Sequence, residues 1–325
     1  MNKILITGGA GFIGGHLANH LLARGDNVTV YDNFSTGKRW HFGENISSPS
    51  LRIIEADVRD EVTLNSTIAG HDIVFHLASN ADIARAATDP DIDYLNGTLL
   101  TRCVLEAMRK NQVRQIIFTS GSGVYGEVPA TPVPEDFSPM IPVSTYGAQK
   151  LASEALISAY SFMFDMRGMV FRFANVVGPQ QTHGVAYDFL LKLTQTPDLL
   201  KIMGDGTQSK PYIHVTDVIN AFMTIIEDDH SNQVGYEYYN VASADSLTVN
   251  EIAKLVCTQM GLKDVEYEYS GGSRGWKADV PLYRLDTSKI RAKGWLNKFD
   301  SHEAVLDAVD SMILDINAGK IKAKQ

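Results

Sequence analysis

Short apolar runs alternate with longer stretches of helical spacing through the first half of the chain. Lys3-Ile4-Leu5-Ile6-Thr7 is an apolar run that stops at glycine, and after it Phe12, Ile13, Leu17, Leu21 and Leu22 recur at helical spacing. Asn27-Val28-Thr29-Val30-Tyr31 is β-branched and extended. Further strands are predicted at 51–54, 73–77, 114–119 and 168–173, with helices between them, notably 95–109 and 144–164. This alternation predicts an α/β fold with a doubly wound parallel sheet and helices on both faces. Ligands of such sheets bind beyond the carboxyl ends of the strands. Here those ends carry Gly8, Asp32, Asp57, Ala78, Ser120 and Asn175.

The texture changes after residue 175. A loop with Gly178, Pro179 and Gly184 precedes helical 187–194, and 213–217 leads into another helix. Residues 236–241 read as a strand rejoining the sheet, with helices at 249–260 and 302–316 after it. The expected division is 1–174 plus 211–242 for a dinucleotide-binding domain. Residues 175–210 plus 243–325 then form a smaller, discontinuous C-terminal substrate-binding part. A cleft between two such parts is a common small-molecule site. The tail 320–325 is expected to fray.

The glycines follow the first strand as Gly8-x-x-Gly11-x-x-Gly14 and open a helix. That is the context of a phosphate-binding turn: glycine admits a pyrophosphate close to the backbone, and the helix start offers free N–H groups. The first gap is one residue longer than in G-x-G-x-x-G. The second strand ends at Asp32, where a carboxylate hydrogen-bonds adenosine ribose hydroxyls and repels a 2′-phosphate. A Rossmann-type fold and NAD rather than NADP are therefore expected, although Lys38 and Arg39 soften the preference.

Tyr146-Gly147-Ala148-Gln149-Lys150 places a lysine four residues after a tyrosine, on the same helix face. Tyrosine ordinarily ionises near pH 10, so a tyrosine base needs cationic neighbours. Lys150 is expected to lower the Tyr146 pKa and to hydrogen-bond the nicotinamide ribose.

Composition narrows the partners. There are 29 Lys and Arg against 38 Asp and Glu, a net charge of −9, which argues against nucleic acid and anionic membranes as partners. No apolar run approaches a membrane span of about 18 residues. No signal-peptide pattern precedes the first strand, so a cytoplasmic protein is expected. Cys103 and Cys257 lie in apolar helical stretches and read as buried free thiols. No histidine or cysteine pair has metal-ligand spacing, so no catalytic metal is expected. His76 and His214 read as structural.

The chain resembles the extended short-chain dehydrogenase/reductases, and among them the nucleotide-sugar epimerases and dehydratases. The resemblance runs nearly the whole length. It rests on Thr7 to Gly14, Tyr31-Asp32-Asn33, Ala56-Asp57-Val58, His76-Leu77-Ala78, Val124-Tyr125-Gly126, Tyr146 to Lys150, Arg172 to Pro179 and Gly204-Asp205-Gly206-Thr207. The UDP-glucose 4-epimerase branch is the most similar. The resemblance implies that Tyr146 takes the sugar 4-hydroxyl proton while the C4 hydride passes to NAD, and that the 4-keto intermediate takes the hydride back on its other face. The cofactor-binding set it implies is Gly8, Gly11, Phe12, Ile13, Gly14, Asp32, Asn33, Ser35, Gly37, Asp57, Val58, Leu77, Ala78, Asn80, Asn96 and Ser120, with Tyr146 and Lys150. Asp57 and Val58 would touch the adenine. Ser122, Asn175, His183, Val185, Lys210 and Arg274 form the implied substrate set, holding a nucleoside diphosphate sugar, a UDP-sugar first. A homodimer through helices 95–109 and 144–164 is also implied.

Two departures from the family pattern bear on the chemistry. The usual catalytic Ser or Thr, four residues before the Tyr of Val-Tyr-Gly, is Gly121 here. Ser120 and Ser122 flank it; either can meet a substrate hydroxyl, and Ser122 is favoured. The acid that dehydratases carry just after that site is replaced by Ser122-Gly123, which favours epimerisation or simple oxidoreduction. Lys210 stands where an arginine often follows Gly-Asp-Gly-Thr, and Arg274 is the second candidate phosphate cation. The leading reading is an NAD-dependent 4-epimerase of a UDP-hexose. The runner-up is another 4-keto enzyme, a 5,6-dehydratase or uronate epimerase. A non-catalytic NAD-binding sensor is the reading from another class.

Overall fold

In the computed structural model, which describes residues 1–80, 84–227 and 234–321, the apolar runs are strands and the helical patterns helices, with ends shifted by one or two residues except at 95–109. The chain packs as two units. The first holds 1–125, 139–172 and 221–239; the second holds 126–138, 173–220 and 240 onward. Residues 126–138 and 211–220, read from sequence with the dinucleotide-binding domain, pack in the second unit.

The first unit contains β1 (Lys3–Thr7), α1 (Phe12–Ala23), β2 (Asn27–Asp32), β3 (Leu51–Glu55), α2 (Glu61–Ile68), β4 (Ile73–His76), α3 (Asp91–Asp93), α4 (Leu99–Lys110), β5 (Gln115–Gly121), α5 (Thr145–Met163) and β6 (Arg167–Phe173). The sheet order is β3-β2-β1-β4-β5-β6, closed by the strand Gly235–Val241. The four pairings from β3 to β5 are parallel. Thr7 lies opposite both Tyr31 and His76, so β1, β2 and β4 end almost level. The winding reverses between β1 and β4, the switch point where such sheets bind ligands. One face buries Leu5, Tyr31, Val74, Ile116 and Val170 under Leu64, Val104, Met108 and Ile157. Each such side chain stabilises by about 1.5–3 kcal/mol when fully buried.

The helix predicted at 95–109 is interrupted. Tyr94–Thr98 forms a π-helical turn, with Asn96 at φ −108° and ψ 25°, and regular α4 begins only at Leu99. A Cβ on Gly97 would meet the Gln149 side-chain amide, so a larger residue there would have to displace that side chain from α5. Helical spacing in sequence does not reveal an inserted residue of this kind, which is frequent at functional sites.

The second unit packs the helices Val185–Gln195, Val249–Gln259 and Ser301–Asn317 around Phe189, Leu193, Ile252, Val256, Val305 and Met312. Two of these helices start in full capping boxes, Thr248 with Glu251 and Asp300 with Glu303. Short strands flank them: Asn175–Val177 beside Tyr212–His214, Leu199–Ile202 beside Glu266–Tyr269, and Ser209–Lys210 beside Leu247–Thr248. Val133 explains why 126–138 belongs here. Its N–H donates to Arg284 O at 3.0 Å and its carbonyl accepts from Asp286 N and Asn240 Nδ2 at 2.9 Å. Of the tail expected to fray, Ile321 is buried and Lys320 Nζ bonds Asp315 Oδ1 at 2.9 Å, while 322–325 lie outside the described residues. Both cysteines are buried and unbonded to each other. Among the described residues, no helix is long and apolar enough to cross a membrane.

Candidate functional site

The level strand ends of the first unit build a cradle without side chains. Gly8 sits at φ 70°, a conformation that strains any other residue. A Cβ there would stand 2.6 Å from Ala78 N, in the loop after β4. A Cβ on Gly14 would stand 2.5 Å from Gly8 O, so the first turn of α1 lies against the glycine turn itself. Gly11 caps α1 without a side-chain hydrogen bond, and Phe12 and Ile13 open the helix, so its first N–H groups remain for a ligand.

Asp32 ends β2 beside this turn. Its Oδ2 accepts from Ala10 N at 2.9 Å and its Oδ1 from Phe34 N at 2.8 Å. Burial raises its pKa and the two N–H groups oppose that rise. Gly37 leaves no room for a side chain: its Cβ would lie 2.8 Å from Ala10 Cβ and 2.9 Å from Asp32 Oδ1. Asn33 links outward, its Oδ1 accepting from Ser35 N at 3.1 Å and its Nδ2 donating to Asp57 Oδ2 at 3.1 Å. Arg59 grips Asp57 with two bonds of 2.8 and 2.7 Å and holds its carboxyl well below the usual range. Val58 is buried. Leu77 N donates to Thr7 O, and Asn80 N to Asn96 O in the π-helical turn. Arg39, one of the cations expected to soften the preference for NAD, pairs with Glu55 at 2.6 Å and stacks 4.6 Å over Phe34.

Ser144 caps α5 by accepting from Gly147 N at 3.0 Å, which starts the helix one residue before Tyr146. Lys150 then falls on the same face, its Nζ 5.6 Å from the Tyr146 ring centre and donating to Thr119 O at 2.8 Å. The expected lowering of the Tyr146 pKa is not what the chain alone produces. Burial and the Asp93 charge push Tyr146 up to about 12. Burial likewise draws Lys150 down to about 8, against the opposing pull of Glu154 and Asp93. Desolvation is the largest cause for both groups: it disfavours the phenolate and the ammonium alike. His76 is fully buried and pushed down to about 3, so it is a neutral link between Thr7 Oγ1 and Thr101 Oγ1, at 2.7 and 3.1 Å.

The two flanking serines separate clearly. Ser120 is buried and its Oγ donates to Glu154 Oε1 at 2.5 Å. Glu154 in turn binds Arg172 through Nη2 at 2.7 Å and Nε at 3.1 Å, and Arg172 Nη1 donates to Tyr125 Oη at 2.9 Å. This buried pair, one turn beyond Lys150, escaped the sequence reading. Ser122 is half-buried at the start of a 3-10 turn, Ser122–Val124. That turn lies against α5: a Cβ on Gly147 would collide with Gly123 O, while one on Gly123 would rest 4.0 Å from Tyr146 Cδ1.

Among the substrate candidates of the second unit, Asn175 opens the strand beside Tyr212 and hydrogen-bonds its hydroxyl. Val185 begins the helix Val185–Gln195 after Gly184, and His183 is exposed, with its carbonyl accepting from Gln181 Nε2 at 2.5 Å. Asp279 gathers the two cations. Lys210 Nζ meets its Oδ1 at 2.5 Å, and Arg274 Nη1 donates to its carbonyl at 2.8 Å. Arg274 also pairs with Glu127 at 2.6 Å. Arg284 lies beside them, donating to Ser209 O and Oγ at 3.1 and 3.0 Å. Neither Asp279 nor Arg284 was foreseen; only folding brings them to Lys210.

The sequence profile of the NAD dependent epimerase/dehydratase family matches residues 4–242. UDP-glucose 4-epimerase of Mycolicibacterium smegmatis is 31% identical over 318 residues, 95% of this chain and 97% of that one. Among solved structures, a UDP-galactose 4-epimerase superposes with a TM-score of 0.86 at 33% identity, covering 97% of this chain and 99% of the other. UDP-glucose 4-epimerase of Thermotoga maritima, solved with UDP-glucose, has a TM-score of 0.85 at 30% identity, with the same coverage. The cradle at Gly8, the free start of α1 and the Asp32 carboxylate fit the NAD for which that family is named.

Proposed function

The chain belongs to the NAD dependent epimerase/dehydratase family, and we propose that within it the protein inverts C4 of a UDP-hexose through a 4-keto intermediate. The observation that carries this reading is the grouping of Tyr146, Lys150 and the Ser122–Val124 turn at the end of β5, with no carboxylate in that turn. An acid there would serve elimination of water; the turn without one favours inversion or simple oxidoreduction over dehydration, and the 4-epimerase relatives favour inversion.

Bound NAD would supply a reversible hydride acceptor for C4 and a positive ring beside the phenol. The remaining steps belong to the chain. Tyr146 Oη accepts the proton of the sugar 4-hydroxyl and gives it back when the inverted alcohol forms. Lys150, anchored on Thr119 O, keeps a cation beside the ring and so favours the phenolate. Ser122 holds the C4 oxygen by a hydrogen bond, since the Ser120 hydroxyl is engaged by Glu154. Gly8, Gly11, Gly14 and Ala78 would hold the pyrophosphate of NAD and Asp32 its adenosine ribose. Lys210 and Arg274 take the substrate diphosphate, which replaces carboxylates they now meet.

The same reading includes a homodimer through α4 and α5; Phe162 and Met163 at the end of α5 are each 71% exposed. Light scattering of the purified protein tests it, and a monomer at micromolar concentration would refute it.

The testing experiment incubates the protein with UDP-hexoses without added reductant and follows mass and proton NMR. A product of unchanged mass with an inverted C4 coupling pattern is expected. A product lighter by one water would replace this reading by dehydration.

A further inference from the structure

Asp93, on α3, is buried and its two carboxylate oxygens serve different segments. Oδ1 accepts from Asn80 Nδ2 at 2.8 Å; Oδ2 accepts from Thr145 Oγ1 at 2.7 Å. Asn80 stands in the loop after β4, and its N–H donates to Asn96 O at 2.9 Å in the π-helical turn. Thr145 is the first residue of α5 and the peptide neighbour of Tyr146. One carboxylate therefore ties the loop after β4 and the start of the tyrosine helix to its own segment.

The charged and titratable groups around Tyr146 and Lys150 come from each packed element. Tyr146 faces Lys150 from its own helix and Asp93 from α3. Lys150 faces Glu154 one turn further on, Asp93, and neutral His76 from β4. The Ser122–Val124 turn carries no titratable side chain. Asp93 alone among these acts on both Tyr146 and Lys150 from outside α5.

We infer that Asp93 is a positioning residue for Tyr146: by holding Thr145 and Asn80 at once it fixes the phenol relative to the loop after β4, and it faces that phenol with negative charge. The inference rests on Tyr146 being the base. Sequence gave no signal for it, since Asp93 lies 13 residues from Asn80 and 52 from Thr145, with no motif linking them.

The test uses the NAD-loaded protein and two variants. Asp93→Asn removes the charge and, because its Nδ2 only donates, one of the two accepted bonds; Thr145→Val removes one clamp bond and keeps the charge, so a shifted limb reports the charge alone. For Asp93→Asn the acidic limb of the kcat–pH profile moves down by about one pH unit, as loss of a neighbouring anion demands. For Thr145→Val the limb stays and kcat falls about tenfold at every pH, the effect of a misplaced phenol. An unmoved limb in Asp93→Asn, or native kcat in Thr145→Val, would overturn the inference. Tyrosinate absorbance, recorded for the native and Asp93→Asn proteins against their Tyr146→Phe counterparts, gives a readout without turnover. A lower midpoint in Asp93→Asn is expected, and an equal midpoint refutes the inference. Because that readout needs no substrate, it decides about Asp93 even if no UDP-hexose is epimerised.

Discussion

The hydroxyl of Ser120 donates to Glu154 Oε1 at 2.5 Å, and this bond uses the one proton Ser120 has to give. The sequence left two serines beside Gly121; their different partners make the two substitutions diverge. Ser122→Ala is expected to lower kcat by about a hundredfold, the smaller end of what one hydrogen-bond donor to a reacting oxygen contributes. Ser120→Ala keeps kcat within about tenfold and lowers Tm instead. Steady-state kinetics and thermal unfolding of both variants check the assignment, which fails if Ser120→Ala carries the larger kinetic loss.

Lys150 gives a pH signature in stability. Burial draws its pKa from 10.5 down to about 8 in the folded protein. Between those values the unfolded chain binds more protons than the folded one, so this group makes stability rise with pH across that window. Below pH 8 the full penalty of the buried cation is present, about 3 kcal/mol from the size of the shift. Lys150→Met is therefore expected to raise Tm at pH 7 and to flatten the rise between pH 8 and 10.5, while abolishing turnover. Calorimetry across that range would refute the argument if native and variant curves ran parallel.

Glu154 and Arg172 are each about 2% exposed as residues, and they hold Ser120 and Tyr125 as well as each other. Breaking a buried pair strands a charge, which costs about 3–5 kcal/mol. Arg172→Met should fall in that range in urea unfolding. A loss below about 1 kcal/mol would show that Glu154 finds another partner.

At the glycine turn, Gly8→Ala adds a methyl group within 2.6 Å of Ala78 N and imposes a left-handed conformation on alanine. The conformational part alone costs about 1–2 kcal/mol. The purified variant is expected to lose bound NAD, read from the absorbance of its denatured supernatant. Full NAD content would disprove the assigned cradle.

Lys210 tests the second unit separately. Lys210→Met should raise KM for the UDP-sugar about tenfold or more with kcat nearly unchanged, since a diphosphate cation binds ground and transition states alike. An unchanged KM would remove Lys210 from the site.

What was legible in the sequence was local. Gly8 and Asp32 are marked by the strand that precedes each, and Lys150 by its spacing from Tyr146. Asp93 with Thr145, Glu154 with Arg172, and Lys210 with Asp279 are separated by 52, 18 and 69 residues, so folding alone pairs them. The direction of the Tyr146 shift was hidden for a related reason. Spacing shows which charges are near, whereas desolvation depends on everything packed around them.

Gly123 and Gly147 are not equivalent partners, although each approaches the other. A side chain on Gly147 would run into the Gly123 carbonyl, whereas one on Gly123 would meet nothing closer than 3.5 Å and would begin 4.0 Å from the Tyr146 ring. A protein engineer who wants an acid beside the phenol thus has one open position and one closed one. Position 123 is where this turn accepts an aspartate or glutamate beside the phenol without meeting backbone closer than 3.5 Å.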